Sequence, residues 1–287
     1  MNYVKLIGGL GNQLFQYAYA YNLFKKGKAV KLESSEFFYY DLHKLKIQNY
    51  KIILKFSNWK EVRKFYIFNN LHLSYRIKLI SKKIYIFLNK ILNNYPTIYE
   101  NSKNFNLNKK NILHDGHWQD LNIVELHKKE LLKQINLKKY TKSHKKLINK
   151  ISKRKNSVAV HVRLYTKIRR EDMHHGNISS NYIKKAKKII EKKVNKPFYF
   201  IFTNSHEWVI KNLKLKGSNF MIVNGFEDYE DLLSISKCKH QIISNSTFGW
   251  WGAWLNNYKK KNVIFPKNWF RLKENPKNLF PKNWTKI

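Results

Sequence analysis

Three groups of residues in this chain have the types and spacing to do chemistry. The tripeptide His161-Val162-Arg163 ends an apolar β-type run, and because a strand alternates its faces, His161 and Arg163 point the same way. Arginine at the carboxyl end of a strand matches a phosphate in both charge and shape. A second apolar run, 241–243, leads into Ser244-Asn245-Ser246-Thr247 and then Phe248. Small hydroxyl and amide residues in that position cap a helix, and a capped helix terminus favours an anion through its backbone N–H groups and its dipole. Third, Gly8-Gly9-Leu10-Gly11-Asn12-Gln13 follows a short apolar run at 3–7. Glycines there let a backbone approach a bound group closely, although the third glycine and the lysine of the common nucleotide fingerprints are missing.

The elements that must carry these groups alternate. A strand at 3–7, a helix beginning near Leu14 and a strand at 29–33 make a βαβ-like opening. Residues 36–137 are harder to parse. Ile77, Ile80, Ile84, Phe87 and Ile91 recur at helical spacing among lysines, which predicts an amphipathic helix on a core, or on a membrane surface. His114-Asp115-Gly116-His117-Trp118-Gln119 is a polar-aromatic cluster suited to a sugar or to a loop–strand join, and its two histidines lack the further ligands of a metal site. A charged helical stretch at 138–156 leads into strands at 157–162, 198–203, 220–223, 241–243 and 263–266, separated by helices at 182–193, 207–213, 229–236 and from Ser244 onward. Alternation without hairpin signals predicts a parallel, doubly wound sheet, whose ligands bind beyond the strands' carboxyl ends. His161, Arg163, Asn204 and residues 244–247 all fall there. Trp250, Trp251 and Trp254, three and four apart, predict a helix face in the core. The expected division is 1–155, an acceptor-side α/β domain with a helical insertion, and 156–287, a donor-binding α/β domain.

The 287 residues carry 57 Lys and Arg against 18 Asp and Glu, a formal net charge of +39, and are 43% hydrophobic. A packed core is expected and disorder is not. The positive charge is spread along the chain, alongside abundant Asn and Ile, so it suits a phosphorylated donor and an anionic membrane surface without marking a specific nucleic-acid site. The single Cys238 rules out an internal disulfide framework and reads as a small core residue in a reducing compartment. No apolar run approaches the length of a spanning helix, and the opening residues lack a signal-peptide pattern. A cytoplasmic protein, peripheral to the membrane at most, is expected.

GGLGNQLFQYA, VAVHVR, HGNISSNYIKKA, FIFTNSHEWV, YEDLLSISKCKHQIISNSTFGWWGAWLN and NVIFPKNWF occur in that order. In these motifs the chain resembles the bacterial and animal α-1,2-fucosyltransferases, glycosyltransferase family 11. The resemblance implies an α/β, GT-B-like fold of two Rossmann-type domains with a cleft between them. It implies an inverting transfer of L-fucose from GDP-fucose to the 2-hydroxyl of a galactoside in a surface glycan, with no metal and no cofactor; the sequence has no Asp-x-Asp triplet. Carried over, Arg163 holds the β-phosphate and stabilises departing GDP, His161 contacts the nucleoside, and Asp231 accepts hydrogen bonds from guanine. Asn245, Ser246, Thr247 and Phe248 line the donor site, and Gly9, Gly11 and Asn12 face the cleft from the first domain. Two departures bear on the base: Leu164 and Thr166 stand where the family has Arg and Asp in its His-x-Arg-Arg-x-Asp pattern, and Asn204 and Ser205 replace an Asp pair. Lys167 and Glu171 match the spacing of a Lys and Glu in α-1,6 relatives, which makes Glu171, beside Asp172, the expected base. Two other readings stay open: the same fold using another nucleotide sugar, and an inactive relative that binds polyanions.

Overall fold

The computed structural model describes residues 1–38, 42–66, 97–100, 111–165, 175–213, 219–271, 276 and 278–287. The expected helix at 77–91 and the expected base Glu171 lie outside the described residues. The chain divides into two compact units, one of Met1–Gln48 and Ile52–Gln134, the other of Asn49–Lys51 and Ile135–Ile287. Both are built on parallel sheets, so the chain has the expected α/β, GT-B-like class with two Rossmann-type units.

In the first unit, β1 (Asn2–Lys5) is followed by α1 (Leu10–Lys25), β2 (Val30–Glu33) and α2 (Trp59–Val62). Then come β3 (Thr97–Tyr99), β4 (Ile112–Asp115), α3 (Leu121–Leu126) and α4 (Lys128–Gln134). The described strands lie in the order β2-β1-β4-β3, all parallel, with Val4 opposite both Leu32 and His114. Helix α1 begins at Leu10 rather than near Leu14. Gly8, at φ 72°, makes the turn, Gly9 is the N-cap, and Gly11, Asn12 and Gln13 are already helical. What the sequence presented as a glycine loop is thus one tight turn and a helix start. Two glutamines inside α1 explain why it begins so early. The Gln13 amide donates to Gly8 O and Lys44 O and accepts from Lys46 N and Ile47 N, so all four of its valences are used. Gln16 accepts from Ile7 N and donates to Gly116 O, tying the ends of β1 and β4 together.

The second unit opens with α5 (Lys142–Ser152) and β5 (Ser157–Val162), followed by α6 (Ser180–Lys193), β6 (Phe198–Thr203), α7 (His206–Leu213) and β7 (Phe220–Val223). It closes with α8 (Asp228–Lys237), β8 (His240–Ile242), α9 (Thr247–Trp254), β9 (Val263–Phe265) and the two-residue β10 (Thr285–Lys286). The contact boundary falls ahead of the expected break at Lys155 because α5 packs into this unit, with Leu147 and Ile151 against Ala159 and Phe200. The sheet reads β7-β6-β5-β8-β9-β10, all parallel, which is the 3-2-1-4-5-6 order of a dinucleotide-binding sheet. Alternate β5 residues feed two cores: Val158, Val160 and Val162 meet Ile183, Ala186 and Ile190 of α6, while Ala159 meets α5, Ile235 and the buried Cys238.

Helix α9 is apolar all round and buried, with Trp250, Trp251 and Trp254 at most 1% exposed. Trp250 stacks on Trp254 and Trp251 sets its edge against both. Gly252 lets α8 come close, since a Cβ there would lie 2.5 Å from Ile235 Cγ2. Gln241, buried in β8, donates to the carbonyls of Ile235 and Cys238 and so closes the carboxyl end of α8. Among the described residues no helix is long and apolar enough to cross a membrane.

Candidate functional site

The order of the second sheet fixes where its ligand belongs. Strand order reverses between β5 and β8, and the crevice past their carboxyl ends is the binding place of such sheets. The structure sets the two sequence-derived motifs side by side there: His161 and Arg163 leave β5, and residues 244–247 leave β8.

His161 is 6% exposed and sits inside this junction. Its Nδ1 lies 2.9 Å from Ser244 Oγ, and its ring packs 5.3 Å from Phe248. Gly249 is required beneath it, because a Cβ there would stand 2.6 Å from Nδ1. Burial, with the Arg163 charge beside it, lowers the imidazole pKa to about 3, so the ring is neutral at physiological pH. The sequence reading turned His161 toward the nucleoside; the contacts observed make it the pin between β5, β8 and the start of α9.

Arg163 is half-buried, its guanidinium 5.6 Å from the ring centroid of Tyr165. Tyr165 was not singled out from sequence, yet it ties the motifs together. Its hydroxyl donates to Asn245 O at 2.9 Å, and its ring stacks on His175 at 4.6 Å. Asn177 clamps its backbone, accepting from Tyr165 N and donating to Tyr165 O. Asn245 is buried and donates from Nδ2 to the carbonyls of His175, Gly176 and Trp269, while its Oδ1 is a buried acceptor without a hydrogen-bond partner among the described residues. Ser246 is the N-cap of α9 as expected, accepting from Phe248 N at 3.3 Å, and Thr247 is the first helical residue. Asn204 closes the edge by a two-way exchange with the backbone of Leu164.

Asp231 stands in the first turn of α8, which also opens at the carboxyl edge. Its Oδ1 is buried and has no hydrogen-bond partner among the described residues. Burial, reinforced by Asp228 and Glu230, raises its pKa to about 7. The turn around it is braced: the Tyr50 hydroxyl donates to Tyr229 O, and Glu230 accepts from Thr141 Oγ1. The turn is thus held from two sides while Oδ1 stays unpaired among the described residues.

At the carboxyl edge of the first sheet, Asn12 Oδ1 accepts from Gln119 Nε2 at 3.2 Å, and the space above Gly9 is faced by His43. Gly11 is buried within α1. His114 is buried between Tyr19 Oη and Asn2 Oδ1, a place in the core. Lys5, also buried, pairs with Glu36 at 2.6 Å and lies 3.8 Å from Asp115. Burial disfavours its charge, but these carboxylates outweigh that and hold its pKa above the usual lysine value.

Comparison with known proteins agrees with this geometry. The model of glycosyl transferase family 11 matches residues 1–287. The chain is 29% identical to the O-antigen biosynthesis glycosyltransferase WbnK of Escherichia coli, over 93% of this chain and 94% of that one. It is 27% identical to an Escherichia coli alpha-1,2-colitosyltransferase, over 94% and 92% of the two chains. Among solved structures, a point mutant of Arabidopsis thaliana FUT1 in complex with GDP superposes with a TM-score of 0.52 at 11% identity, covering 93% of this chain and 71% of that one. NodZ alpha-1,6-fucosyltransferase soaked with GDP-fucose gives a TM-score of 0.50 at 12% identity, covering 88% and 91%.

Proposed function

We propose a donor and an acceptor for this chain, which belongs to glycosyl transferase family 11: it moves L-fucose from GDP-fucose to the 2-hydroxyl of a galactoside during O-antigen synthesis. The observation that carries the reading is the buried Oδ1 of Asp231, without a hydrogen-bond partner among the described residues, at the same sheet edge as Arg163 and the cap of α9. Guanine is the base whose adjacent N–H donors suit one carboxylate, and a pyrophosphate suits an arginine and a helix N-terminus.

In the proposed reaction the acceptor O2 forms a bond to fucose C1 as the bond from C1 to the β-phosphate oxygen breaks. The electron pair leaves on GDP, where Arg163 meets the growing charge, and inversion follows from attack on the opposite face. The acceptor proton goes to Glu171. Neither a metal nor a cofactor takes part in this proposal. Asn245, Ser246, Thr247 and Phe248 shape the pyrophosphate site, and Gly9, Gly11 and Asn12 belong to the acceptor side. The net charge of +39 supports work at the cytoplasmic face of an anionic membrane rather than on a specific nucleic acid.

A second reading keeps the chemistry and changes the donor sugar to colitose, favoured by the alpha-1,2-colitosyltransferase relative. Purified protein, GDP-fucose or GDP-colitose, and a panel of β-galactosides without added metal separate the two. Acceptor-dependent GDP release with a fucosylated α-1,2 product supports the first reading, turnover of GDP-colitose alone supports the second, and turnover of neither overturns both.

A further inference from the structure

The first unit holds a pocket that nothing above has used. Glu33, at the carboxyl end of β2, lines it with Ser34, Ser35 and Ser57, and Phe38 and Trp59 stand over it. Its volume is about 70 Å³, room for roughly two waters or the edge of a sugar ring. We propose that this pocket is a subsite for a hexopyranose unit of the acceptor glycan, an inference that rests on the acceptor reading above.

The two aromatics are the first argument. Phe38 is 82% exposed and Trp59 43%, as is Phe24 elsewhere in the unit, whereas Tyr3, Phe15, Tyr17, Tyr21 and Phe65 are buried. Exposed rings beside a pocket offer flat apolar surface with little rotamer entropy to lose, which suits the C–H face of a pyranose. The polar lining is the second. Serine hydroxyls both donate and accept, and the Glu33 carboxylate, which takes Ser35 N at 2.6 Å, adds an acceptor to the lining. Charge is the third argument. In a chain with 57 basic residues the charged group among the described residues that line this pocket is a carboxylate, which favours a neutral polyol over a phosphate or a nucleic acid. Its place is the fourth, since β2 ends on the same sheet edge as the turn at Gly8 and Gly9.

The floor is firm enough to hold this shape. Ser57 N and Oγ both donate to Leu32 O, which fastens residues 56–58 to β2, and Asn58 with Glu61 forms a capping box that fixes α2 beneath Trp59.

The test is saturation-transfer NMR of lactose on the intact protein, with GDP binding measured separately by calorimetry. Wild type, Phe38→Ala/Trp59→Ala and Trp59→Phe are compared after near-UV circular dichroism confirms the fold. The expected result is transfer to lactose in the wild type, at least a tenfold weaker affinity in the double variant, near-wild-type binding by Trp59→Phe, and GDP affinity unchanged in all three. Lactose binding that survives the double variant, or a wild type that binds GDP but not lactose, overturns the subsite and leaves the donor reading standing. Aromatic-dependent lactose binding without GDP binding supports the subsite and overturns the donor reading. Concentration-dependent dimerisation lost in the double variant, with no effect on sugar, assigns the surface to a second copy and overturns the proposal.

Discussion

Replacing Asp231 by Asn should stabilise the empty protein and cripple donor binding in the same stroke. The carboxyl group has a folded-state pKa of about 7 against an ordinary aspartate value of 3.8, with burial the main cause. A raised pKa means that the folded chain holds the proton more tightly than the unfolded chain does. For this group stability is therefore greatest below about pH 4 and falls as pH climbs through about 7, levelling off near pH 8 once the carboxyl group is ionised in place. At about 1.4 kcal/mol per unit, a shift of about three units sets the cost of ionisation at pH 8 at up to about 4 kcal/mol. Asp231→Asn removes that cost, so its urea midpoint at pH 8 should exceed the wild type's, and the difference should vanish near pH 4. Guanine binding asks the opposite of the residue, because its N–H donors want the ionised form. With a pKa near 7, proton competition weakens binding about tenfold between pH 8 and pH 6. Guanosine titrations across that range, free of any phosphate ionisation, are the assay. The variant should bind guanosine weakly and without this pH dependence. Tight guanosine binding by Asp231→Asn, or a flat pH profile in the wild type, would refute the reasoning.

Three further outcomes follow from the second unit. Arg163→Ala should lower the turnover number by about 10²- to 10³-fold, the usual worth of a preorganised charge donor, while thermal unfolding stays near that of the wild type; a fully active variant would remove Arg163 from the leaving-group role. Gly252→Ala places a methyl 2.5 Å from Ile235 Cγ2 and 2.9 Å from its Cβ, so overpacking between α9 and α8 should cost about 1–3 kcal/mol in urea denaturation, and an unchanged midpoint would contradict the close approach. Tyr165→Phe removes the donor to Asn245 O and should cost about 1 kcal/mol of stability while raising KM for the donor more than KM for the acceptor. Equal effects on both would mean that Tyr165 does not shape the donor side.

Much of the second unit was written plainly in the sequence. The strands at 157–162, 198–203 and 220–223 lie where runs of Val, Ile and Phe placed them, because a strand buried on both faces needs an unbroken apolar run. The tryptophans of α9 were legible as core for the same reason. Strand β10 was not, being two residues long and held only by its pairing with β9. Strand β4 was legible only as a loop–strand join, since its buried His114 donates to Asn2 Oδ1, bonds Tyr19 Oη through Nδ1, and interrupts the apolar pattern. The start of α1 was misplaced because glycine reads locally as a breaker, while Gln13 and Gln16 hold that terminus through partners as far away as Gly116. Tyr165, Asn177 and the structural part of His161 escaped for a related reason: their roles are bonds to backbone or side-chain groups up to 83 residues away, which no local spacing encodes.

That contrast separates the residues that build the site from those that wait in it. Asn177, Asn204 and Gln241 in the second unit, like Gln13 in the first, spend their amides on backbone groups. Against this background Asp231 Oδ1 and Asn245 Oδ1 stand out as buried acceptors without a hydrogen-bond partner among the described residues, both at the carboxyl edge of the second sheet. A buried acceptor left unpaired costs about 1–3 kcal/mol. On the proposed donor reading, a ligand's N–H groups recover that cost on binding, and the Asp231→Asn titrations test whether guanosine is the ligand that does so.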